Sequence, residues 1–360
     1  MYSIAQLIPL LPKDYANKLI KLGKIKRWRG IKTPEDLMLL CLFHLHNGST
    51  LIEIAEISRM IHIADISDVC FMERFALCGD WFKEICAELS PSLVADYEKP
   101  AYLSEYRPIG FDATDVVEKG RSGQLYRLHY GIDLFGLCAV SYKISDVKTG
   151  EQMSNFTLAK GDIAIADRAY GTKSSIEYCL QNGADFIFRL RSNCFSIYDG
   201  DRNKIDLAAK FSELDYEQSM GFSGFIHNAD GKTPIRICIR KKDKGACEKS
   251  RKKLKKTASR KQRKISEKVD IFNDYIVLVS SLPAEISADE ILSTYRYRWQ
   301  VENYFKRLKS LMDFGELPKK RKDSSLAWLN GKLMIALLIE LYIAKCLFSP
   351  AVQSEPQYLA

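Results

Sequence analysis

Apolar residues recur every three or four positions through the first hundred residues, and every second position beyond Pro108, so a helical part precedes a strand-bearing part. Thr33-Pro34-Glu35 opens an apolar run to His46. Ser49-Thr50 opens another through Met60, with Glu53 three residues after Thr50 in the spacing of a capping box. A turn at His62–Ser67 leads to Asp68–Leu77, so residues 1–100 predict an all-α region. Its two short helices fit either a helix-turn-helix that reads DNA or plain helix packing. Pro100 marks Tyr97–Tyr106 as a linker.

Beyond Pro108, Ile109, Phe111 and Ala113 alternate with Gly110, Asp112 and Thr114, which predicts a strand carrying Asp112 on its second face. Leu125–Tyr130 and Leu137–Ile144 continue as strands around turn residues at Asp133 to Gly136. Gly161 to Ala166 reads as a short strand ending at Asp167, followed by Arg168-Ala169-Tyr170-Gly171, a helix over Lys173–Gln181 and a strand over Phe186–Leu190. A carboxylate at the C-terminal end of a strand is where α/β proteins commonly place active groups.

Near the C-terminus, Tyr295, Arg298, Glu302 and Lys309 stand three, four and seven apart. On one continuous helix they share an arc of roughly 60°. One carboxylate, two cations and a phenol on one face suit a phosphodiester beside a metal ion. The alternative is a solvated face with a weak Arg298–Glu302 pair, although Glu302 to Lys306 is the better-oriented helix pair. Val301, Phe305, Leu308 and Met312 form a separate apolar face, which predicts the stripe at the rim of the core with Glu302 semi-buried. Three antiparallel strands, then strand, helix, strand and a later helix with a carboxylate make a ribonuclease-H-like mixed sheet with flanking helices. Asp112, Asp167 and Glu302 converge in such a fold, where two Mg²⁺ ions can drive in-line phosphoryl displacement.

The 360 residues, 46% of them hydrophobic, fit a globular chain of two or three domains. Ten cysteines occur with no C-x-x-C, which reads as buried thiols in a reducing compartment and not as zinc ligands. No basic segment precedes Ile4–Pro12, and Leu333–Phe348 is interrupted by Glu340 and Lys345, so the expectation is a cytoplasmic protein without a membrane span. The net charge of +9 is concentrated: Arg240 to Lys268 holds fifteen Lys/Arg against Asp243, Glu248 and Glu267. Arg251, Lys252, Lys255, Lys256, Arg260 and Lys261 are its candidate contacts to a nucleic-acid backbone, weighed against a solvated basic loop without a ligand.

Phe111-Asp112-Ala113-Thr114, Ala166-Asp167-Arg168-Ala169-Tyr170-Gly171 and Tyr295-x(2)-Arg298-x(3)-Glu302-x(6)-Lys309 together resemble the insertion sequence four family of DDE transposases. The resemblance spans residues 108–310 and implies a Mg²⁺-dependent cut-and-paste recombinase, with Mn²⁺ able to substitute. Asp112, Asp167 and Glu302 are then metal ligands, Arg298, Lys309 and Arg168 phosphate contacts, and Tyr295 a contact to the non-transferred strand. It also implies double-stranded DNA as partner, namely terminal inverted repeats and target, a homodimer in the synaptic complex, and association with the nucleoid when bound to DNA.

The same resemblance implies a β-rich insertion subdomain at 192–273, between catalytic-core parts at 101–191 and 274–348. Phe222–His227 and Thr233–Arg240 form its expected hairpin, turning at Asp230-Gly231. Some relatives stack an insertion-domain Trp on a flipped base, yet residues 192–285 contain no Trp, which leaves Tyr216, Phe222 or Phe225 for stacking or for core packing. A metal-dependent nuclease without strand transfer and a catalytically silent, domesticated DNA-binding protein are the competing functions.

Overall fold

The alternation that starts at Pro108 becomes β1 (Arg107–Glu118), the strand around which the sheet is built. In the computed structural model, which describes residues 3–90, 98–118, 124–228, 231–318 and 321–347, β1 pairs antiparallel with β2 (Gln124–Asp133), and β2 with β3 (Ala139–Asp146). The β2–β3 turn is closed by Asp133, whose Oδ1 accepts from the Phe135 and Gly136 amides at 3.0 and 2.8 Å. On its other side β1 runs parallel to β4 (Asp162–Ala166), and β4 to β5 (Asp185–Arg189). The crossover helix α7 (Lys173–Gln181) is capped by the Thr172 hydroxyl, which accepts from the Ser175 amide at 3.2 Å. These five strands and α7 make the ribonuclease-H-like pattern.

Beyond β5 the same sheet continues antiparallel through β8 (Tyr275–Ser280), β7 (Gly231–Lys241) and β6 (Ser219–Asn228), and β9 (Glu316–Leu317) lies parallel to the end of β1. The expected hairpin is therefore β6–β7, and it extends the central sheet. Ile237, Cys238 and Ile239 of β7 and Val277, Leu278 and Val279 of β8 are all fully buried, so both strands need cover on two faces. Asp230 of its turn lies outside the described residues. Among the described residues between Ser192 and Asn273 there are also three helices, α8 (Leu207–Ser212), α9 (Lys244–Arg260) and α10 (Glu267–Asn273).

Two cores sandwich the sheet. One face packs Phe111, Ala164, Ala166, Phe186 and Phe188 against α7, Phe156 and Tyr170. The other meets every remaining large helix. There α1 (Ile4–Leu7), α2 (Tyr15–Leu22), α3 (Pro34–His46), α4 (Leu51–Met60), α5 (Asp68–Ala76) and α6 (Gly79–Leu89) join α11 (Ala288–Arg296), α12 (Trp299–Leu311) and α13 (Lys322–Leu347) in one cluster with Ile163, Ile165 and Leu278. The Thr50–Glu53 capping box is formed, at 2.6 and 3.2 Å. In the expected reading helix, Phe71 and Phe75 are spent on the core while Val69 is exposed. The linker segment is docked as well: Leu103 is fully buried, and Lys99 Nζ donates to the Tyr106 carbonyl at 2.9 Å. Tyr97 lies outside the described residues.

The apolar run at the C-terminus is α13, long and apolar enough by length and composition to cross a membrane, with a mean hydropathy of 1.6 over its best window. Two-thirds of that window is buried inside the fold against α3, α5 and α6, so here it serves as the central helix of a core. All ten cysteines are free thiols, seven of them buried.

Candidate active site

The β1–β4 register ends on Phe111 paired with Ala166, so the next residues, Asp112 within β1 and Asp167 just past β4, lie at the same end of two neighbouring strands. Asp167 leaves the strand in a tight turn, its Oδ1 accepting from the Ala169 amide at 2.7 Å. Asp112 Oδ1 accepts from the Ala113 amide at 2.8 Å. Gly110 lies two residues earlier on the same face as Asp112, and a Cβ there would fall 2.5 Å from Cγ2 of Val301. Only a missing side chain lets α12 rest that closely on β1. Because Arg298 and Glu302 flank Val301, this contact delivers both to Asp112.

Arg298 bridges the two carboxylates. Its Nη1 lies 3.4 Å from Asp112 Oδ2 and its Nη2 2.5 Å from Glu302 Oε1. The Arg298 side chain is 15% exposed, whereas that of Glu302 is 51% exposed, more open than the semi-buried position expected of it. The reason is helical phase: Val301 takes the buried position and turns Glu302 outward by one residue. The i,i+4 pair that forms is Arg298–Glu302.

The continuous helix expected under the stripe is divided. Tyr295 belongs to the last turn of α11, and Arg298 stands at the N-cap of α12. Between them the amides of Tyr297, Arg298, Gln300 and Val301 bond three residues back, to Thr294, Tyr295, Tyr297 and Arg298, which tightens the chain where three aromatic residues of low helix propensity crowd together. Tyr295 is buried, its ring 5.9 Å from the Arg298 guanidinium carbon. Lys309 lies two turns along α12, about 10 Å from Glu302 by helix rise. There it lines a separate cavity of about 1230 Å³ with Thr50, Gly315, Trp328 and Lys332.

From below, α12 is held by a buried polar chain. Tyr130, paired with Asp112 across β1–β2, stacks on Tyr304 at 4.7 Å and donates to its hydroxyl at 2.6 Å. Tyr304 in turn bonds Glu340 of α13, whose carboxyl burial pushes up to about 7.

Burial pushes the Asp112 carboxyl up to about 6; Asp167 and Glu151 add to the rise, while the Ala113 amide and Arg298 oppose it. Glu151, half-buried in the β3–β4 connection, is itself shifted upward, first by burial and then by Asp167. Nothing in the periodicity of the sequence marks Glu151. Arg168 is held below its usual range by burial and then by Arg189, with Arg191 also nearby. Lys242 falls to about 8 by burial and the charges of Arg189 and Arg168. Four cations thus gather at the ends of β4, β5 and β7, of which sequence reasoning found only Arg168. Arg189 and Arg191 carried the same strand-end signal as Asp167. Trp299, 54% exposed beside Arg298, was also missed.

Most of the basic run is the helix α9, with Lys261, Arg263 and Lys264 beyond its end. Asp243 caps α9, its Oδ1 accepting from the Ala246 amide at 2.8 Å, so the helix starts next to Lys242 and the cation cluster. Lys252, Lys255, Lys256, Arg260 and Lys261 are exposed. Arg251 is diverted: its Nε donates to buried Asp274 at 3.0 Å, with Nη2 on the second oxygen, so it ties α9 to the start of β8.

Three carboxylates are hard oxygen donors of the kind Mg²⁺ or Mn²⁺ takes. The donor chemistry of Asp112, Asp167 and Glu302 therefore fits a divalent ion. Among the described residues, however, no three acidic, His or Cys side chains stand close enough together to hold one, and Arg298 occupies the space between Asp112 and Glu302.

The transposase DDE domain family matches residues 105–338, which covers β1 through most of α13. The chain is 26% identical over 336 residues to the putative transposase InsL for insertion sequence element IS186A of Escherichia coli (strain K12), spanning 91% of this chain and 90% of that protein. It is also 26% identical over 337 residues to the transposase for insertion sequence element IS421 of Escherichia coli, with the same coverage. The cryo-EM structure of the piggyBac transposase synaptic complex with hairpin DNA aligns at a TM-score of 0.40 and 11% identity, covering 98% of this chain and 84% of that one. With its matched domain spanning the whole sheet and the helices from α7 through most of α13, including Asp112, Asp167 and Glu302, the chain belongs to the DDE transposase family of insertion sequences.

Proposed function

We propose that this protein cuts the ends of an insertion sequence and joins them to target DNA, nicking by hydrolysis and then transferring the strand through its 3′-hydroxyl. The observation that carries the proposal is the seating of α12 on Gly110, which sets Arg298 between Asp112 and Glu302, with Asp167 just past the end of the strand beside Asp112. Asp112, Asp167 and Glu302 are the metal ligands in this reading. Two Mg²⁺ ions, or Mn²⁺ in their place, would activate the attacking oxygen and stabilise the leaving one.

The chain's own side chains bind and orient the DNA. Arg298, Arg168, Arg189, Arg191 and Lys242 offer donors to phosphates on the rim of the acids, and Lys309 meets the backbone further along α12. The exposed face of α9 supplies sequence-independent affinity through Lys252, Lys255, Lys256, Arg260 and Lys261. Tyr295 supports Arg298 through its ring, and Trp299 offers a stacking face for an unpaired base. Two copies acting on paired ends, in the cytoplasm and at the nucleoid, complete the proposal.

Asp112→Ala, Asp167→Ala and Glu302→Ala are each expected to abolish single-turnover cleavage of terminal-repeat DNA in Mg²⁺ while leaving DNA affinity largely intact. Near-native cleavage by any one variant removes that residue from the site. Cleavage by the intact protein with no joined product, on a pre-cut 3′-hydroxyl substrate, would leave a nuclease in place of a transposase.

A further inference from the structure

We infer that Arg298 is a latch on the metal site: in the DNA-free protein its guanidinium bridges Asp112 and Glu302, and a DNA phosphate must draw it away before those carboxylates can take up a divalent ion. The inference rests on the assignment of the acids as metal ligands and adds an order of assembly to it.

Each oxygen of Asp112 already has a donor, Ala113 N–H on Oδ1 and Arg298 Nη1 on Oδ2. Oε1 of Glu302 receives Nη2 of the same guanidinium. One planar cation therefore compensates two carboxylates that would otherwise repel each other and collect a metal. A divalent ion placed there would meet a fixed positive charge a few ångströms away.

Arg298 is mostly buried over the Tyr295 ring, so its guanidinium gives up the two carboxylates only when another anion takes their place. A phosphate presents the same bidentate acceptor geometry as a carboxylate, which makes it the natural exchange partner. DNA binding and metal loading then help each other by the same factor, since linkage is reciprocal.

Mn²⁺ binding to the full chain without DNA, followed by the electron paramagnetic resonance of the free ion, tests the latch. Arg298→Gln is expected to bind Mn²⁺ about tenfold tighter than the unaltered protein, within the usual range of site-to-site coupling. Arg298→Lys, which keeps the charge but not the fork, should fall between the two, and adding Asp112→Asn to Arg298→Gln should remove the gain. In EDTA, Arg298→Gln should bind duplex DNA more weakly, with the log–log salt slope reduced by about 0.9 for the one lost phosphate contact. Thermal melting keeps misfolded variants out of the comparison. If Asp112→Asn weakens Mn²⁺ binding but neither Arg298 variant strengthens it, the latch is overturned and the acids stand as ligands. If Asp112→Asn changes Mn²⁺ binding in neither background, the acids do not hold the metal and the assignment beneath the latch fails with it. An unchanged DNA affinity and slope in EDTA would also overturn the exchange.

Discussion

Gly110→Ala isolates the contact that assembles the site. The new Cβ would lie 2.5 Å from Val301 Cγ2 and 2.7 Å from Leu134 Cδ2, so reaching an ordinary separation of 3.4 Å from Val301 needs a retreat of about 0.9 Å. Leu134 can rotate its terminal methyl. Val301 cannot easily do so, because a β-branched residue in a helix has one strongly preferred rotamer, so α12 itself must lift. Overpacking of this kind costs about 1–3 kcal/mol, offset by about 0.4–1 kcal/mol from the stiffer unfolded chain. A net loss of about 1–2 kcal/mol lowers the melting temperature by only a few degrees. Catalysis should suffer more, because a displacement near 1 Å at the reacting groups costs about 10²-fold in rate. Gly131→Ala is the matched control: its Cβ would meet the Phe111 ring at 2.5 Å on the opposite face of the sheet, so it should lose similar stability with little change in rate. The assay pairs thermal melting with single-turnover cleavage for both variants. Equal rate losses in the two, or a Gly110→Ala enzyme that cleaves at the normal rate, would refute the claim that α12 seated on Gly110 sets the geometry.

Four further outcomes follow from individual contacts. Replacing Lys252, Lys255, Lys256, Arg260 and Lys261 with Gln should weaken specific and random DNA binding alike and flatten the salt dependence by about 0.9 in slope per lost contact. Arg251→Ala should instead destabilise the fold by about 1–2 kcal/mol, below the cost of a fully buried pair because its side chain is 49% exposed; an unchanged melting temperature would contradict its tie to Asp274. Glu340 has a folded pKa raised from 4.5 to about 7, so the native state binds the extra proton and stability should fall as pH rises through that window. In Glu340→Gln that slope between about pH 4.5 and 7 should flatten in thermal melts taken across it; an unaltered slope would mean that another group titrates. Trp299→Ala should leave stability within about 0.5 kcal/mol yet slow cleavage if the ring stacks on a base, worth about 1–3 kcal/mol; normal cleavage would reduce Trp299 to an exposed surface residue.

Features that depend on neighbours along the chain could be read from the residues alone. Period-two alternation located β1 and put Asp112 on the face opposite Phe111, and α7 forms over Lys173–Gln181 as its Thr172 cap and apolar spacing predict. The candidate residues on either side of Val301 were legible because spacing along a helix fixes which side chains share a face. The tertiary structure alone decided which groups face each other across long separations. Arg298 finds Asp112 186 residues away because Gly110 leaves room for α12, and Arg251 is taken by Asp274 and so lost to the exposed basic face. Glu151, Arg189, Arg191 and Lys242 come to Asp167 and Arg168 from separate strands and loops, an encounter that no period records. The β6–β7 hairpin could be predicted from its own residues, but its place beside β8 could not, since strand pairing depends on which buried edges remain open once the rest of the sheet has formed.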